Sequence, residues 1–306
     1  MTTAPAKPHE HWRLSSTSTL DVREPRVMTI LNITPDSFSD GGAHERPDAA
    51  ASAAILAVQE GADLLDVGAE STRPGAERIP AEAQLARLLP AIRAIRDAGV
   101  ILPITVDTTL AGVAEACLDA GATAINDVSG GTEDPNLLAL AAERRVGIVL
   151  MHRLAPPDRD SYSDRYRSAP SYDGGVVASV KDSLARSLER AVKAGIAPEA
   201  VLLDPGLGFG KTVEQNLELV RRTGEFLALG RPILSGASRK SFVGRAGATP
   251  GQEPDPPAAR DAASVAFSVL HFVNGASVFR VHATAMHVRA VRAAHAALPS
   301  DRWASR

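Results

Sequence analysis

Short runs of Val, Ile and Leu recur along the chain, and longer segments between them carry the apolar periodicity of helices. The runs predict eight strands, at residues 27–32, 63–67, 104–107, 124–128, 147–152, 201–204, 232–236 and 278–282. The periodic segments predict eight helices, at residues 48–60, 81–97, 111–120, 136–144, 175–194, 213–229, 260–274 and 284–297. The strands are apolar throughout instead of alternating, which is typical of a parallel sheet buried on both faces.

One strand followed by one helix, repeated eight times, favours a closed α/β barrel. An open Rossmann-type sheet would have fewer strands and a GxGxxG motif at its first helix, whereas strand 27–32 leads into Ile-Thr-Pro-Asp. We therefore predict a single-domain (β/α)8 TIM barrel over residues 27–298, with an N-terminal extension at 1–26 and a C-terminal tail at 299–306.

Two segments lie outside this repeat. Residues 1–26 mix Ser, Thr, Pro and charged residues, and we expect them to pack over the bottom of the barrel or to stay mobile. Residues 153–171 form a long polar connection after the fifth strand and contain Tyr162 and Tyr166. A connection of this length at the catalytic face either covers the site as a lid or extends over the surface without order.

Composition excludes several classes of protein. The 306 residues carry 33 Lys and Arg against 36 Asp and Glu, which argues against a surface for nucleic acid or for an anionic membrane. The single cysteine, Cys117, can form neither an internal disulfide nor a thiolate metal site, and its surroundings predict a buried helix position. Without a long apolar run or a signal-peptide core, the expected location is the cytoplasm.

Short polar motifs follow the predicted strands where each strand ends. They are NITPDSFSDGG at 32–42, ESTRPG at 70–75, Asp107, Asn126-Asp127, DPGLGFGK at 204–211, SRK at 238–240 and RVH at 280–282. The carboxyl ends of the strands in a parallel barrel face the same side, so these groups are expected to form one composite pocket. The predicted class is therefore an enzyme with a single active site.

Four of these motifs together resemble the dihydropteroate synthases, which join a pterin to para-aminobenzoate in folate biosynthesis. The segments ILNITPDSFSDGG, DVGAESTRPGA, LLDPGLGFGK and SRKSFVG occur in this order, and the resemblance extends over residues 27–297. It implies a homodimeric transferase in which Mg²⁺ assists attack of the arylamine on 6-hydroxymethyl-7,8-dihydropterin diphosphate. The implied products are 7,8-dihydropteroate and diphosphate.

The resemblance implies a pterin site formed by Asp107, Asn126, Asp204, Lys240 and Met151. A pterin presents several N–H donors along one edge, and carboxylates and carboxamides can pair with them once water is excluded. Asp204 follows two apolar leucines, where an unpaired carboxylate would be costly. The alternative for such a strand-end aspartate is that it caps the next helix.

For the diphosphate, the resemblance implies binding by Asn32, Thr72, Arg73, Arg280 and His282. Asn32 is also the implied Mg²⁺ ligand, and one protein ligand suffices for an ion that keeps most of its water and phosphate ligands. Arginine suits this task because its guanidinium group can donate two parallel hydrogen bonds to phosphate.

The implied catalytic residues are Arg280, His282, Lys240 and Asn32. Departure of the diphosphate leaves a cation-like pterin methylene, so stabilisation of the leaving group is the expected main contribution. The arylamine is already nucleophilic, and its implied site contains Thr72, Pro74, Phe209 and Ser241. Loops 32–42 and 70–75 are expected to be mobile without ligand and to close over the diphosphate.

Three positions depart from the pattern of that family. After the Met-His pair at 151–152 the chain continues with Arg153 and a longer loop, Ala283 follows the RVH motif, and Ala237 precedes SRK. We expect the first departure to change the rim of the pocket and Ala283 to change the support of His282.

Two other functions remain open from the sequence. A methyltetrahydrofolate:corrinoid methyltransferase shares the Asp, Asn and Asp pterin contacts but lacks the SRK motif and needs no diphosphate site, so Lys240 and Arg280 argue against it. A non-catalytic pterin-binding paralogue is suggested only by the altered loops. The glycines before Lys211 lack the Walker spacing of a nucleotide-binding loop.

Overall fold

The computed structural model describes residues 10–33, 45–70 and 73–298. The strands in these ranges are β1 (His11–Arg13), β2 (Thr19–Asp21), β3 (Arg26–Asn32), β4 (Leu64–Gly68), β5 (Ile104–Asp107), β6 (Ala124–Asp127), β7 (Gly147–Met151), β8 (Val201–Asp204), β9 (Leu234–Ser235) and β10 (Val278–Val281). Each predicted strand is present within about two residues of its predicted bounds.

The strands β3 to β10 form a closed parallel barrel. Neighbours in sequence are neighbours in the sheet, and β10 pairs with β3. A parallel bridge between Leu203 and Ile233 joins β8 to the start of β9 and completes the circle. The predicted (β/α)8 barrel is therefore confirmed, and its strands are buried on both faces, as a parallel sheet covered by helices requires.

The helices are α1 (Glu45–Gln59), α2 (Ala81–Asp97), α3 (Ala111–Asp119), α4 (Leu137–Arg144), α5 (Val176–Lys193), α6 (Val213–Arg221), α7 (Ser241–Gly247), α8 (Asp261–Val273) and α9 (Thr284–Ala297). The helix α7 was not predicted, because it is a short helix that directly follows the SRK motif. The single helix predicted at 213–229 was wrong in its second half, which is a 3-10 segment at Thr223–Leu229. The Thr223 hydroxyl donates back to the carbonyls of Leu219 and Val220, which disturbs the α-helical ladder there.

A β-hairpin closes the bottom of the barrel. The strands β1 and β2 pair antiparallel, and Trp12 on β1 is fully buried. Its indole nitrogen donates to the carbonyl of Ala200 at 2.9 Å, and its ring packs with inward residues of the barrel such as Met28 and Leu202. Residues 10–26 of the extension thus pack over the barrel bottom, while residues 1–9 lie outside the described ranges.

One smaller expectation agrees with the structure. Cys117 is fully buried on α3, as its alanine-rich surroundings predicted. Among the residues that the structure describes, none of the helices combines the length and apolar character needed to cross a bilayer.

Candidate active site

The predicted pterin residues meet at the carboxyl end of the barrel. Asp107, Asn126 and Asp204 lie at or next to the last position of β5, β6 and β8, and all three side chains are buried. Arg280 lies on β10, which pairs with β3, and Asn32 ends β3. Residues that are distant in sequence therefore line one end of the same barrel.

Arg280 is held by two carboxylates. Its Nε atom donates to Oδ2 of Asp66 at 2.5 Å, and its Nη2 atom donates to Oδ2 of Asp107 at 2.8 Å. Asp66 is fully buried, and it also accepts from Nδ2 of Asn126 at 3.2 Å and from the Thr105 hydroxyl at 2.5 Å. These bonds fix the guanidinium plane from the interior of the barrel.

Sequence reasoning assigned no role to Asp66 or Thr105. The signal was present in the motif LLDVG, because an aspartate in the middle of a buried strand needs partners inside the protein. The four bonds that Asp66 accepts satisfy both of its oxygens. Asp66 therefore connects the guanidinium group of Arg280 to the side-chain amide of Asn126 through hydrogen bonds.

The two predicted pterin carboxylates have different local partners. Burial raises the pKa of Asp107 to about 7, because the attraction of Arg280 offsets only part of the loss of water. One oxygen of Asp204 accepts the backbone N–H of Gly206 at 2.7 Å, so part of this side chain supports its own loop. Burial also raises the pKa of Asp204. Its second oxygen, Oδ2, lies close to the backbone of Gly236. A side chain at position 236 would place its Cβ atom 3.6 Å from this oxygen.

Lys240 and Phe209 lie against each other. The ammonium nitrogen of Lys240 is 3.7 Å from the centre of the Phe209 ring, a cation–π contact. Burial and the repulsion of Arg280 lower the pKa of Lys240 to about 7. Phe209 also packs with Met151 and Val128, which gives the pocket one apolar wall.

His282 is neutral at ordinary pH and is held by Ser238. Burial and the charges of Arg239 and Arg280 lower the pKa of His282 to about 3. Its backbone N–H donates to the Ser238 hydroxyl at 3.3 Å, and that hydroxyl lies 3.0 Å from Nδ1 of the ring. An imidazole that accepts the serine proton at Nδ1 carries its own proton on Nε2 and can donate it to an anion.

The backbone between Ser238 and Lys240 is in an uncommon conformation. Arg239 has a φ of 61°, which side-chain-bearing residues seldom adopt. Its guanidinium donates to both carboxylate oxygens of Asp261 at 2.6 and 2.8 Å, and its backbone N–H donates to Ser264. Arg239 thus connects the SRK turn to α8, a role that the motif alone did not reveal.

The glycine-rich loop is structural. The Lys211 ammonium group is fully buried and donates to the carbonyls of Gly206 and Phe209 at 2.8 and 2.7 Å. It also lies 3.0 Å from Nδ1 of His152. Because Lys211 points inward, it shapes the loop that presents Phe209 and does not serve as a phosphate-binding lysine.

The remaining predicted site residues that the structure describes are Pro74, Ser241 and Arg73. Pro74 is half-buried, and Ser241, at the start of α7, is buried. Arg73 is exposed, and its charge contributes to the low pKa of His282, so the two residues lie within electrostatic reach. Thr72 and residues 34–42 of the first loop lie outside the described ranges, and with them the predicted closure of these loops.

Asn32 and Asp107 flank Gly68 on the neighbouring strands of the sheet. If position 68 carried a side chain, its Cβ atom would lie 3.7 Å from Oδ1 of Asn32 and 3.6 Å from Oδ2 of Asp107. Groups of three or more His, Cys, Asp or Glu side chains that could hold a metal are absent from the described ranges. Oδ1 of Asn32 is a hard oxygen donor that suits a magnesium ion whose other ligands are water and substrate phosphate, whereas Oδ2 of Asp107 already accepts from Arg280.

The departures from the family pattern leave the central groups in place. Ser238 supports His282, although Ala283 provides no side-chain cap for α9. The side chain of Arg153 is largely buried, and its guanidinium pairs with Glu133 at 2.6 Å. Ala237 is buried next to Ser238 and removes no polar contact.

Comparison with known proteins places this geometry in a family. A family model described as pterin binding enzyme matches residues 28–282. Dihydropteroate synthase of Mycobacterium leprae is 41% identical over 268 residues, which cover 87% of this chain and 91% of that protein. The chain belongs to the dihydropteroate synthase family. The Escherichia coli dihydropteroate synthase is 39% identical over 92% of this chain and 94% of its own length.

Solved dihydropteroate synthase structures share the fold. Xanthomonas albilineans dihydropteroate synthase with 4-aminobenzoic acid superposes with a TM-score of 0.82 at 40% identity, covering 97% of this chain and 100% of that one. The Yersinia pestis enzyme, solved as a sulfonamide drug complex, superposes with a TM-score of 0.82 at 36% identity, covering 94% and 98%. The predicted family, fold class and dihydropteroate synthase function are confirmed by these comparisons.

Proposed function

We propose that the protein condenses 6-hydroxymethyl-7,8-dihydropterin diphosphate with para-aminobenzoate and releases diphosphate. The observation that carries this proposal is Arg280, held by Asp66 and Asp107 beside the buried Asn126 and Asp204. Carboxylates and a carboxamide match the N–H donors of a pterin, and a fixed guanidinium beside them matches a diphosphate.

The pterin is proposed to bind between Asp107, Asn126 and Asp204, with Lys240 at its edge. Met151 packs against Phe209 and supplies an apolar face for the flat ring system. Because these side chains are buried in a largely enclosed pocket, pterin N–H groups that pair with them exchange bonds to water for bonds to fixed acceptors.

Arg280, His282 and Arg73 are proposed to bind the diphosphate, together with Thr72. Arg280 provides a positive charge in a fixed position. His282 is neutral, and a neutral imidazole still provides one N–H donor without taking up a proton from solvent. Their strongest contribution comes as the C–O bond breaks and charge grows on the leaving oxygen. Asn32 would hold Mg²⁺, which when bound would neutralise charge on the diphosphate.

The arylamine is proposed to lie between Pro74, Phe209 and Ser241, with Thr72 completing the slot. Its neutral amino group attacks the pterin methylene and loses a proton after the bond forms. The Ser241 hydroxyl can donate to the carboxylate of the arylamine. Sulfonamides resemble para-aminobenzoate in shape, so we expect them to compete for this slot.

A homodimer in the cytoplasm is also proposed, with neither nucleic acid nor membrane as a partner. The helices α8 and α9 pack together and expose Leu270, Val273 and Met286 to solvent. Large apolar side chains that are exposed on adjacent elements favour contact with another surface. Light scattering of the protein and of a Leu270→Glu variant tests this: the wild type should be a dimer, and the variant should shift it toward the monomer.

Turnover is the test of the proposed reaction. Purified protein is given Mg²⁺, the pterin diphosphate and para-aminobenzoate, and diphosphate release and dihydropteroate formation are followed in parallel. Equal rates of the two products support the synthase. Pterin binding without product would instead identify a non-catalytic paralogue, and absence of pterin binding would reject the pterin site.

A further inference from the structure

Arg78 lies three residues after the loop at 70–75, and sequence reasoning assigned it no role. Its Nη1 atom donates to Oε1 of Glu133 at 2.7 Å, Nη2 donates to the Thr109 hydroxyl at 2.9 Å, and Nε lies 3.6 Å from Oε1 of Glu70. These three partners follow β6, β5 and β4, which are neighbours in the sheet. The guanidinium group of Arg78 therefore joins three successive connections at the carboxyl end of the barrel.

The contacts of Arg78 continue to the connection after β7 through Arg153. The Nη2 atom of Arg153 lies 2.6 Å from Oε1 of Glu133, the oxygen that also accepts from Arg78. The exposed fraction of the side chain is 37% for Arg78, 20% for Glu133 and 7% for Arg153. Because these charges are partly buried, water and salt screen them less than they screen a pair on an open surface.

Glu70, at the start of the loop, is also held from the other side. Its Oε2 atom accepts from Nε2 of Gln84 at 3.3 Å, and Gln84 is buried on α2. Oε1 of Gln84 accepts the Thr108 hydroxyl at 2.9 Å. The ion pair of Glu70 with Arg78 thus connects a fixed residue before the loop to a fixed residue after it. Connecting the two ends restricts the conformations of the residues between them.

The turn that carries Arg73 lies between these two ends. The carbonyl of Arg73 accepts the backbone N–H of Ala76 at 3.0 Å, and Gly75 has a φ of 81°. Pro74 and Gly75 are typical of the two central positions of a type II turn, because the second of these positions requires a positive φ. The backbone N–H of Gly75 also donates to the carbonyl of Pro157 at 2.7 Å. The turn is therefore fixed internally and to the connection that follows β7.

Arg73 is the charged group of this turn, and its proposed task is to bind the diphosphate. Its charge contributes to the low pKa of His282, so the turn holds Arg73 within electrostatic reach of the diphosphate site. A small displacement of a group that acts on the reacting atoms can remove much of its catalytic effect. The position of the turn should therefore matter for the reaction.

We infer that Arg78 is a positioning residue for the reaction and that it acts through Arg73. By joining Glu70 to the connections after β5 and β6, Arg78 holds the turn where Arg73 can reach the diphosphate. The inference rests on the proposed function, because it assigns Arg78 to the same reaction. It goes beyond that function, because the role of Arg78 requires no contact with either substrate.

The test is a double-mutant cycle of Arg78→Gln and Arg73→Ala, in which kcat/KM for the pterin diphosphate is measured by diphosphate release. Arg78→Gln removes the charge and the branched donor group that reaches three partners. It should lower kcat/KM about tenfold in the wild-type background but less than about twofold in the Arg73→Ala background, because the effects of residues that act as one unit do not add. The calorimetric affinity of Arg78→Gln for 6-hydroxymethyl-7,8-dihydropterin, which lacks the diphosphate, should equal that of the wild type.

The matched control is Arg93→Gln, which makes the same change at an exposed position of α2. Its kcat/KM should equal that of the wild type. Glu133→Gln removes the charge that Arg78 and Arg153 share, so it should give the same pattern as Arg78→Gln with a smaller factor. This variant takes the place of Arg78→Gln in the cycle if Arg78→Gln does not fold.

An unchanged kcat/KM in folded Arg78→Gln would overturn the inference, as would an equal fall in both backgrounds. An equal fall in affinity for the unphosphorylated dihydropterin would overturn it as well, because Arg78 would then support the whole pocket. If Arg73→Ala alone left kcat/KM unchanged, Arg78 could not act through Arg73. Absence of turnover in the wild type would be a failure of the proposed reaction and is seen before any variant is compared.

Discussion

Arg280 and Asp66 lie 214 positions apart in the sequence, yet Nε of the arginine donates to Oδ2 of the aspartate at 2.5 Å. The bond reaches past β3, the strand that lies between β10 and β4 in the sheet. Asp107 takes the Nη2 atom of the same guanidinium, so two of its donors are committed to the protein. The orientation of Arg280 is therefore determined before substrate binds, which is the condition for electrostatic preorganisation.

Asp66→Asn should impair catalysis without removing a ligand of the substrate. The amide keeps the shape of the side chain but leaves the buried Arg280 with one carboxylate partner, a change that costs about 3 kcal/mol or more in buried ion pairs. We expect kcat/KM for the pterin diphosphate to fall on the order of 10²-fold. Steady-state kinetics measures this.

The control for Asp66→Asn is Asp119→Asn, whose carboxylate pairs with Arg144 at an exposed position. Calorimetric affinity for 6-hydroxymethyl-7,8-dihydropterin, which lacks the diphosphate, should fall by a smaller factor in Asp66→Asn than affinity for the diphosphate, because the amide keeps one oxygen acceptor for Asn126. If the affinities for the alcohol and for the diphosphate fell by the same factor, Asp66 would be a general structural residue and not a positioning residue for Arg280.

Asp204→Ala should remove most of the pterin affinity. The substitution deletes the buried carboxylate that is proposed to pair with ring N–H groups, and unpaired donors in a dry pocket cost about 1–3 kcal/mol each. Titration calorimetry with the dihydropterin measures the change, and Asp173→Ala at an exposed position is the control. An unchanged pterin affinity would show that Asp204 only supports Gly206.

The pH profile of kcat/KM for the pterin diphosphate should have a maximum near neutral pH. At pH values below its pKa of about 7, Asp107 is protonated and its attraction for Arg280 is lost. At pH values above its pKa of about 7, Lys240 is deprotonated and no longer attracts an anionic substrate. Activity of the free enzyme therefore falls on both sides.

The Lys240→Arg variant distinguishes the acid limb of the pH profile from the alkaline limb, because arginine keeps its charge throughout the accessible pH range. The alkaline limb should disappear in this variant, while the acid limb should remain. His282 should add no inflection near neutral pH, since its pKa of about 3 keeps it neutral there. A wild-type profile that is flat from about pH 6 to about pH 8 would contradict the assignment.

Trp12→Ala should destabilise the barrel from its bottom. Deleting a large buried aromatic side chain typically costs about 3–5 kcal/mol, and here the carbonyl of Ala200 also loses its donor. Urea unfolding followed by circular dichroism measures the loss. Trp12→Phe keeps most of the apolar contact and should cost less, whereas a loss below about 1 kcal/mol in Trp12→Ala would mean that the hairpin does not support the core.

The barrel could be predicted because its strands are short apolar runs in a fixed order with helices. Those runs are buried on both faces, so the pattern along the chain and the burial in the fold carry the same information. The hairpin at residues 11–21 was different: its strands have three residues each, too few for a period to show. Trp12 is buried because the hairpin packs across the open bottom of the barrel, which the sequence of the hairpin alone does not show.

The site residues that follow the end of a strand within a motif could be predicted from the sequence. Their hydrogen-bond partners from other elements could not. Asp107, Asn126, Asp204 and Arg280 follow the motif pattern and lie together. The bonds of Asp66 to Arg280, of Ser238 to His282 and of Ser163 to Ser241 connect separate elements. Such pairings depend on how strands are ordered around the barrel, which no single segment encodes.

The most direct test of the central claim is the single-turnover rate of dihydropteroate formation by Arg280→Ala at saturating substrates. If Arg280 stabilises the charge on the departing diphosphate, this rate should fall on the order of 10²-fold or more, while affinity for the unphosphorylated dihydropterin stays close to that of the wild type. A rate within about twofold of the wild type, in a folded variant, would contradict the claim and remove Arg280 from the reaction.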